Sequence, residues 1–186
     1  MVEIEHSAET TREALLVLRA QLGDCRALDD LLAASQDRLY RFLVRLVVDP
    51  HLAEDLLQDV FVQICRSLRW LQHPQFFRTW TYRITARAAF RRLHRVRRDR
   101  MTSLDESSAP IAAPALAEPL DRESIDQLRE KISLLSPNTR AVIVLHYYEG
   151  LSLSGVAAVL DLPVGTVKSR LGLGLAALRR IMREET

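Results

Sequence analysis

The sequence has few of the residues that carry catalytic or metal chemistry. Its 186 residues include two cysteines and five scattered histidines. Cys25 and Cys65 lie within helical patterns without a CxxC spacing, so we expect two buried thiols and neither a zinc site nor a disulfide. No glycine-rich phosphate loop, HExxH motif or nucleophile–base pair is present. The sequence therefore favours a protein that is not an enzyme and needs no cofactor or metal.

Glycine, aromatic residues and lysine are also scarce. There are six glycines, and aromatic residues make up 6% of the chain, whereas alanine and leucine are abundant. This mixture favours helices over strands. Lys131 and Lys168 are the only lysines, so almost all positive charge is arginine, whose planar fork suits phosphate and carboxylate partners. We predict an all-α fold.

Long apolar runs are absent as well. No stretch reaches the roughly 18 residues of a membrane-spanning helix. The first residues, MVEIEHSAETTRE, are polar and acidic, unlike a secretory signal peptide. We therefore expect a cytoplasmic protein with no membrane insertion.

Apolar residues recur at three- and four-residue steps along most of the chain, which predicts helices. Asp49 and Pro50 should end the first helix, because a residue before proline resists helical backbone angles. Pro137 is placed to start a later helix, and Gly150 to end it. The predicted helices cover residues 11–48, 51–70, 76–98, 122–134, 137–149, 152–160 and 165–183.

Composition changes between these two groups of helices. The stretch TSLDESSAPIAAPALAEPLDR holds three prolines and keeps no periodicity, which is typical of a flexible linker. The sequence thus predicts two small helical domains. The first covers residues 1–100, the linker covers 101–122, and the second covers 123–186.

The last two predicted helices have the spacing of a helix-turn-helix motif, whose second helix lies in the DNA major groove. Hydroxyl and cationic side chains occupy the start of that second helix, where they can contact phosphates and base edges. Arg179 could follow the DNA backbone further along. The alternative is a plain helical arrangement with a basic exposed face. The candidate DNA-binding residues are Thr166, Lys168, Ser169, Arg170 and Arg179.

The predicted second helix carries an acidic, partly apolar patch. Asp55, Gln58 and Asp59 share one helix face, and Leu57 and Phe61 lie beside them. Such a face suits a basic helical partner with an apolar centre. Taken alone, it is also compatible with an ordinary solvated helix face.

Residues 76–100 are rich in arginine, and Asp99 is their only acid. Arginines can track a phosphate backbone, and the interleaved aromatic residues can stack on unpaired bases. The segment therefore suits partly melted DNA, with Arg83, Arg87 and Arg91 as candidate contacts. Trp80 is more often a core residue than a contact of this kind, because it shares an apolar stripe with its neighbours.

These stretches together resemble the bacterial sigma factors of the sigma-70 family, especially the extracytoplasmic function (ECF) group. PVGTVKSRL is similar to the start of that family's recognition helix. LAEDLLQDVFVQICRSL is similar to its helix that binds core RNA polymerase. The pattern Phe-x-x-Trp-x-Tyr-Arg-Ile, which begins at Phe77, is similar to its promoter −10 helix. The resemblance extends over residues 20–182 in the family's order and spacing.

The resemblance implies a sigma factor that binds core RNA polymerase, at the β′ clamp coiled coil and β, and directs it to promoter DNA. The patch Asp55, Leu57, Gln58, Asp59 and Phe61 would bind polymerase. The loop at residues 71–75 would help to pocket a flipped base. The helix-turn-helix would read the −35 element, and an anti-sigma factor would hold the protein inactive. The residues implied for the −10 element are Gln72, His73, Trp80, Arg83, Arg87 and Arg91.

The sequence departs from the family pattern at three positions. Gly155 stands where the family usually has glutamate, and Arg87 and Arg91 stand where it often has asparagine or a similar residue. The general −10 role is therefore expected, but a −10 sequence cannot be borrowed from relatives. The alternative function is a helix-turn-helix regulator that binds DNA but not core polymerase.

Overall fold

The computed structural model describes residues 2–102 and 122–184, with side chains for residues 10–98 and 128–183. Every regular element in these ranges is helical. The predicted linker lies almost entirely outside the described residues. The helices are α1 (Val2–Gln21), α2 (Cys25–Val47), α3 (Pro50–Ser67), α4 (Phe77–Thr102), α5 (Arg122–Ser133), α6 (Pro137–Ile143), α7 (Leu153–Leu160) and α8 (Val164–Glu184).

Three short helical turns complete the chain. Two 3-10 turns, Leu68–Trp70 and Pro74–Phe76, connect α3 to α4, and a π-helical turn, Val144–Tyr148, continues α6. None of the described helices is long and apolar enough to cross a membrane. The prediction of an all-α fold is confirmed.

The first predicted helix is two helices in the structure. The chain turns at Gly23, whose φ of +95° lies in the left-handed region that favours glycine. Asp24 then caps α2 by accepting a hydrogen bond from the backbone N–H of Ala27 at 3.1 Å. That hydrogen bond, together with one from Arg19, lowers the pKa of the Asp24 carboxyl. Glycine followed by aspartate is a pattern that predicts the end of one helix and the start of the next. The apolar periodicity continues across Gly23 and Asp24 and therefore predicted one helix here.

The predicted break at Asp49 and Pro50 is confirmed. Val48 ends α2 with φ of 61°, and the Asp49 side chain accepts a hydrogen bond from the N–H of Leu52 at 3.0 Å. Pro50 is the first residue of α3, where its missing N–H costs nothing. Ser136 caps α6 in the same way. Gly150, with φ of +67°, lies just beyond the π-helical turn that continues α6, at the predicted end of this helical stretch.

One apolar core runs through both groups of helices. Phe42 and Tyr82 meet edge to face at 5.4 Å in the first group, and the core continues through Val142, Leu145 and Val156 in the second. Helix α2 packs against α5 and α6, and α4 packs against α7. The boundaries at residues 100 and 123 stay a prediction, but the two groups contact each other directly.

The expectation of buried thiols was wrong. Cys25 and Cys65 are both exposed, and neither forms a disulfide. Cys25 is the first residue of α2, ahead of the buried position Ala27. Cys65 follows the buried Ile64 on α3, and one residue turns a helix by about 100°, which carries its side chain to the solvent side.

Two glycines of α8 provide a matched test of helix packing. A Cβ at Gly174 would lie 2.7 Å from Cγ2 of Thr139 and 3.0 Å from Cδ1 of Ile143, both on α6, whereas a Cβ at Gly172 would meet nothing within 4 Å. We expect Gly174→Ala to lower the free energy of unfolding by about 1–3 kcal/mol through overpacking. Gly172→Ala should raise it by up to about 1 kcal/mol through helix propensity. Urea unfolding of both variants measures the difference, and equal stabilisation would contradict this packing.

Candidate functional site

Helix α4 presents a basic side to solvent. An open groove runs along this helix and is lined by arginine and histidine side chains with one aromatic ring among them. Two predicted DNA contacts, Arg87 and Arg91, lie in the groove, and Arg83 lies one turn earlier. The lining residues are Arg87, Phe90, Arg91, His94, Arg95 and Arg98.

The start of α4 and the loop before it hold the remaining predicted −10 residues. Gln72 and His73 are exposed in this loop. Trp80 is half-buried, and its ring lies 6.0 Å from that of Phe77, which is fully enclosed. Trp80 therefore contributes to packing, in agreement with the interpretation favoured from its apolar neighbours.

Two of the predicted −10 arginines contact the second group of helices. Asp161, which ends α7, places its carboxylate oxygens 3.6 Å from Nη2 of Arg83 and 3.4 Å from Nη2 of Arg87. All three side chains are at least two-fifths exposed. Exposed ion pairs of this kind contribute about 0–1 kcal/mol, so Asp161 holds the two arginines only weakly.

A second contact between the two groups is buried. Glu149 is 7% exposed, and its Oε2 accepts a hydrogen bond of 2.5 Å from the Tyr82 hydroxyl. Nη1 of Arg45 lies 3.6 Å from Oε1, and Nη2 of Arg78 donates to the Glu149 backbone carbonyl at 3.0 Å. Burial first, and then the neighbouring carboxylate of Glu149, raise the pKa of Tyr82. We call Glu149 with Tyr82, Arg45 and Arg78 the junction cluster.

Arg140 forms a third link between the groups. This buried residue of α6 donates to the carbonyl oxygen of Leu46, in the last turn of α2, at 2.9 Å. It also donates to the carbonyls of Ser133 and Leu135. Burial lowers the pKa of Arg140 to about 10. The guanidinium thus satisfies a carbonyl left without a partner at a helix end.

Helices α7 and α8 form the predicted helix-turn-helix. Helix α8 begins after Pro163, whose carbonyl accepts from the N–H of Thr166 at 2.9 Å. Lys168 and Ser169 are exposed near this start, while Thr166 and Arg170 are half-buried. Val167 faces the core. The −35 candidates are therefore on an accessible helix N-terminus.

The far end of α8 is also basic. Arg179, a predicted backbone contact, lines an open groove together with Ala176, Arg180 and Arg183. Both ends of the predicted recognition helix therefore present cationic side chains.

The acidic patch of α3 has the predicted polar face but a different apolar part. Asp55, Gln58 and Asp59 are exposed. Leu57 is 9% exposed and belongs to the core, so it offers no contact surface in this arrangement. It lies on the same buried stripe as Val60, which is why a surface role was a wrong expectation. The predicted Phe61 is half-buried.

Neither Asp161 nor Glu149 was singled out from the sequence. Tyr82 and Glu149 are 67 residues apart, and Arg87 and Asp161 are 74 apart, so only the fold brings them together. The exposed Val62 beside the acidic patch was also missed. Val62 follows Asp59 by three residues and Gln58 by four, and that spacing was a readable signal that it shares their face.

Comparison with known proteins matches both groups of helices. Residues 31–99 match the family described as Sigma-70 region 2, and residues 125–178 match Sigma-70, region 4. The chain is 33% identical over 180 residues to the ECF RNA polymerase sigma factor SigE of Mycolicibacterium smegmatis, covering 95% of this chain and 69% of SigE. The chain belongs to the ECF RNA polymerase sigma factors. The family resemblance inferred from the motifs is confirmed.

Two solved structures share the fold. CnrH, solved in complex with the cytosolic domain of CnrY, is 26% identical with a TM-score of 0.71, covering 94% of this chain and 99% of that chain. RpoE of Bartonella quintana, solved with the anti-sigma factor NepR, has 24% identity and a TM-score of 0.68, covering 83% and 96% of the two chains. For an ECF sigma factor that matches in both regions, the alternative of a regulator unrelated to polymerase is not supported.

The junction cluster predicts a stability change for one hydroxyl. Tyr82→Phe removes the donor to Glu149 and should lower the free energy of unfolding by about 1.5–3 kcal/mol, because the hydrogen bond is to a charged group. Tyr147→Phe is the control, since Tyr147 is exposed and should change stability by less than about 0.5 kcal/mol. Urea unfolding compares them, and an equal, small effect of the two variants would refute the role of the hydroxyl.

Proposed function

We propose that this sigma factor binds core RNA polymerase through α3, holds the promoter −10 element on α4 and reads the −35 element with α7 and α8. The observation that carries the proposal is that one chain presents two separate cationic surfaces, the groove of α4 and the exposed start of α8. An acidic exposed face on α3 is the third surface. Transcription initiation needs no bond chemistry from this chain, because polymerase supplies it.

The −10 element would meet α4 as partly melted DNA. Arg83, Arg87 and Arg91 would neutralise phosphates or reach base edges. The exposed loop residues Gln72 and His73 would help to hold a base flipped out of the stack, a step that costs a few kcal/mol and so contributes to sequence choice. Cationic charge attracts the strand, and the loop then discriminates among bases.

The −35 element would be read as duplex DNA in the major groove. Lys168 and Ser169 would lie closest to the DNA, with Thr166 and Arg170 beside them, and Arg179 would contact the backbone. Because one chain carries both DNA sites, the second contact is intramolecular and gains effective concentration. The −10 site would belong to a domain of residues 1–100, and the −35 site to a domain of residues 123–186.

The described arrangement would have to open for both DNA sites to work together. Asp161 forms ion pairs with Arg83 and Arg87, and α7 packs on α4. DNA phosphates would displace Asp161 easily, whereas the buried Glu149 would resist separation. An anti-sigma factor that favours the closed arrangement would keep the protein inactive in the cytoplasm. The fold shared with RpoE, which was solved with such a factor, supports this partner.

Binding to core polymerase tests the role of α3. Asp55→Arg combined with Asp59→Arg reverses the charge of the exposed face and should abolish pull-down of purified core polymerase. Asp29→Arg combined with Asp30→Arg makes the same charge change on exposed positions of α2 and should bind like the wild type. If both double variants bind equally, α3 is not the docking face. If the wild type fails to bind, the proposed function itself is wrong.

Binding to −35 duplex tests the role of α8. Lys168→Ala and Arg170→Ala should each weaken binding and reduce the salt dependence by about one unit of slope, because each removes a cation that releases counterions from DNA. Arg26→Ala removes an exposed cation from α2 and serves as the control. Fluorescence anisotropy at several salt concentrations measures affinity and slope together. An unchanged slope in both α8 variants would remove these side chains from the interface.

A further inference from the structure

The second half of helix α1 is apolar on two opposite sides. On one side Val17 is fully enclosed in the core, beside the buried ion pair of Glu13 with Arg38 of α2. On the opposite side Leu15 is 57% exposed and Leu18 is 48% exposed. A helix at a protein surface normally has one apolar side and one polar side. The second apolar side therefore indicates that a partner covers it.

The outward leucines form a continuous stripe. Leu22 is 89% exposed, and its N–H donates to the carbonyl of Leu18 at 3.2 Å, so the helical spacing extends to it. Leu15, Leu18 and Leu22 lie within about 60° of one another around the helix axis. Alternating steps of three and four residues are the spacing of the contact seam between two paired helices. In the sequence the same alternation continues toward the N-terminus through Thr11, Ala8 and Ile4. We call these six positions the outer stripe.

The charges along α1 divide it into an acidic half and a basic half. Residues 2–11 include Glu3, Glu5 and Glu9 and contain no arginine or lysine. In the second half the exposed Arg12 and Arg19 lie beside the leucines, and the one acid of residues 12–22 is buried against α2. A leucine stripe beside arginines is complemented by an apolar stripe beside glutamates. The first half of another copy of α1 has this composition.

We propose that the outer stripe of α1 pairs with the outer stripe of a second copy of this chain, in antiparallel orientation. The basic half of each helix then lies on the acidic half of the other, and Leu22 of one copy lies opposite Ile4 of the second copy. A parallel pair would instead bring the glutamates of the two copies together. Because both copies use the same surface, the contact closes at two chains. This dimer goes beyond the proposed function and does not depend on it.

Sedimentation equilibrium of the full chain measures this self-association. We expect the wild type to exchange between monomer and dimer as concentration changes. Leu15→Ala combined with Leu18→Ala should raise the dissociation constant at least about tenfold, because it removes two leucines from each side of the contact. Leu134→Ala combined with Leu173→Ala removes two similarly exposed leucines from elsewhere and should leave the constant unchanged. Urea unfolding checks that both double variants remain folded.

Single cysteines test the orientation of the two helices. Cys25 and Cys65 would first be replaced by serine. Leu22→Cys alone should form no disulfide-linked dimer on mild oxidation, since the two copies of this position lie at opposite ends of the pair. A mixture of the Leu22→Cys chain with an Ile4→Cys chain should form a linked dimer, because a disulfide needs Cα atoms within about 7 Å of each other.

Several outcomes would overturn the proposal. A wild type that stays monomeric, or an unchanged dissociation constant in the Leu15 and Leu18 variant, would remove the dimer from this surface. Linkage of the Leu22→Cys chain with itself would contradict the antiparallel orientation. A monomeric wild type whose pull-down of core polymerase is lost in the Leu15 and Leu18 variant would assign the stripe to polymerase instead. Sedimentation uses neither polymerase nor DNA, so failure of this proposal is distinguishable from failure of the proposed function.

Discussion

The buried carboxylate of Glu149 is the interaction on which the arrangement of the described helices depends. Removing one partner of a buried ion pair costs about 3–5 kcal/mol, whereas exposed pairs such as those of Asp161 contribute about 0–1 kcal/mol. The two contacts therefore act differently. Glu149 holds the C-terminal helices against α2 and α4 through Tyr82 and Arg45. Asp161 makes only exposed ion pairs, with Arg83 and Arg87.

Helix α4 illustrates how the structure separates packing from binding. Tyr82, Ala86 and Ala89 face the core, while Arg87 and Arg91 line the basic groove on another side of the same helix. The net charge of +2 conceals this separation. The acidic residues that offset the charge of these arginines lie elsewhere in the chain. Those on the exposed face of α3 suit a basic partner, whereas the arginines suit an anionic one. A nearly neutral protein can therefore present an acidic surface on α3 and cationic surfaces on α4 and α8.

Sequence reasoning succeeded where the signal is local. The helix break at Asp49 and Pro50, the proline that starts α6 and the turn before α8 depend on residues within four positions of one another. It failed where a side chain's surroundings come from another helix. The hydrogen bond from the Gln21 side chain to the Leu68 carbonyl spans 47 residues, and the one from Tyr82 to Glu149 spans 67. No periodicity encodes such pairs, since each partner looks ordinary in its own helix.

The closed arrangement and its opening are tested most directly by a distance measurement. Fluorescent donor and acceptor dyes would be attached at the exposed Cys25 of α2 and at Leu173→Cys, an exposed position of α8, with Cys65 replaced by serine. Energy transfer would be recorded for the free chain, with core polymerase, and with polymerase and promoter DNA. We predict that energy transfer falls clearly between the free chain and the promoter complex. Equal transfer in the free chain and in an actively initiating complex would contradict it.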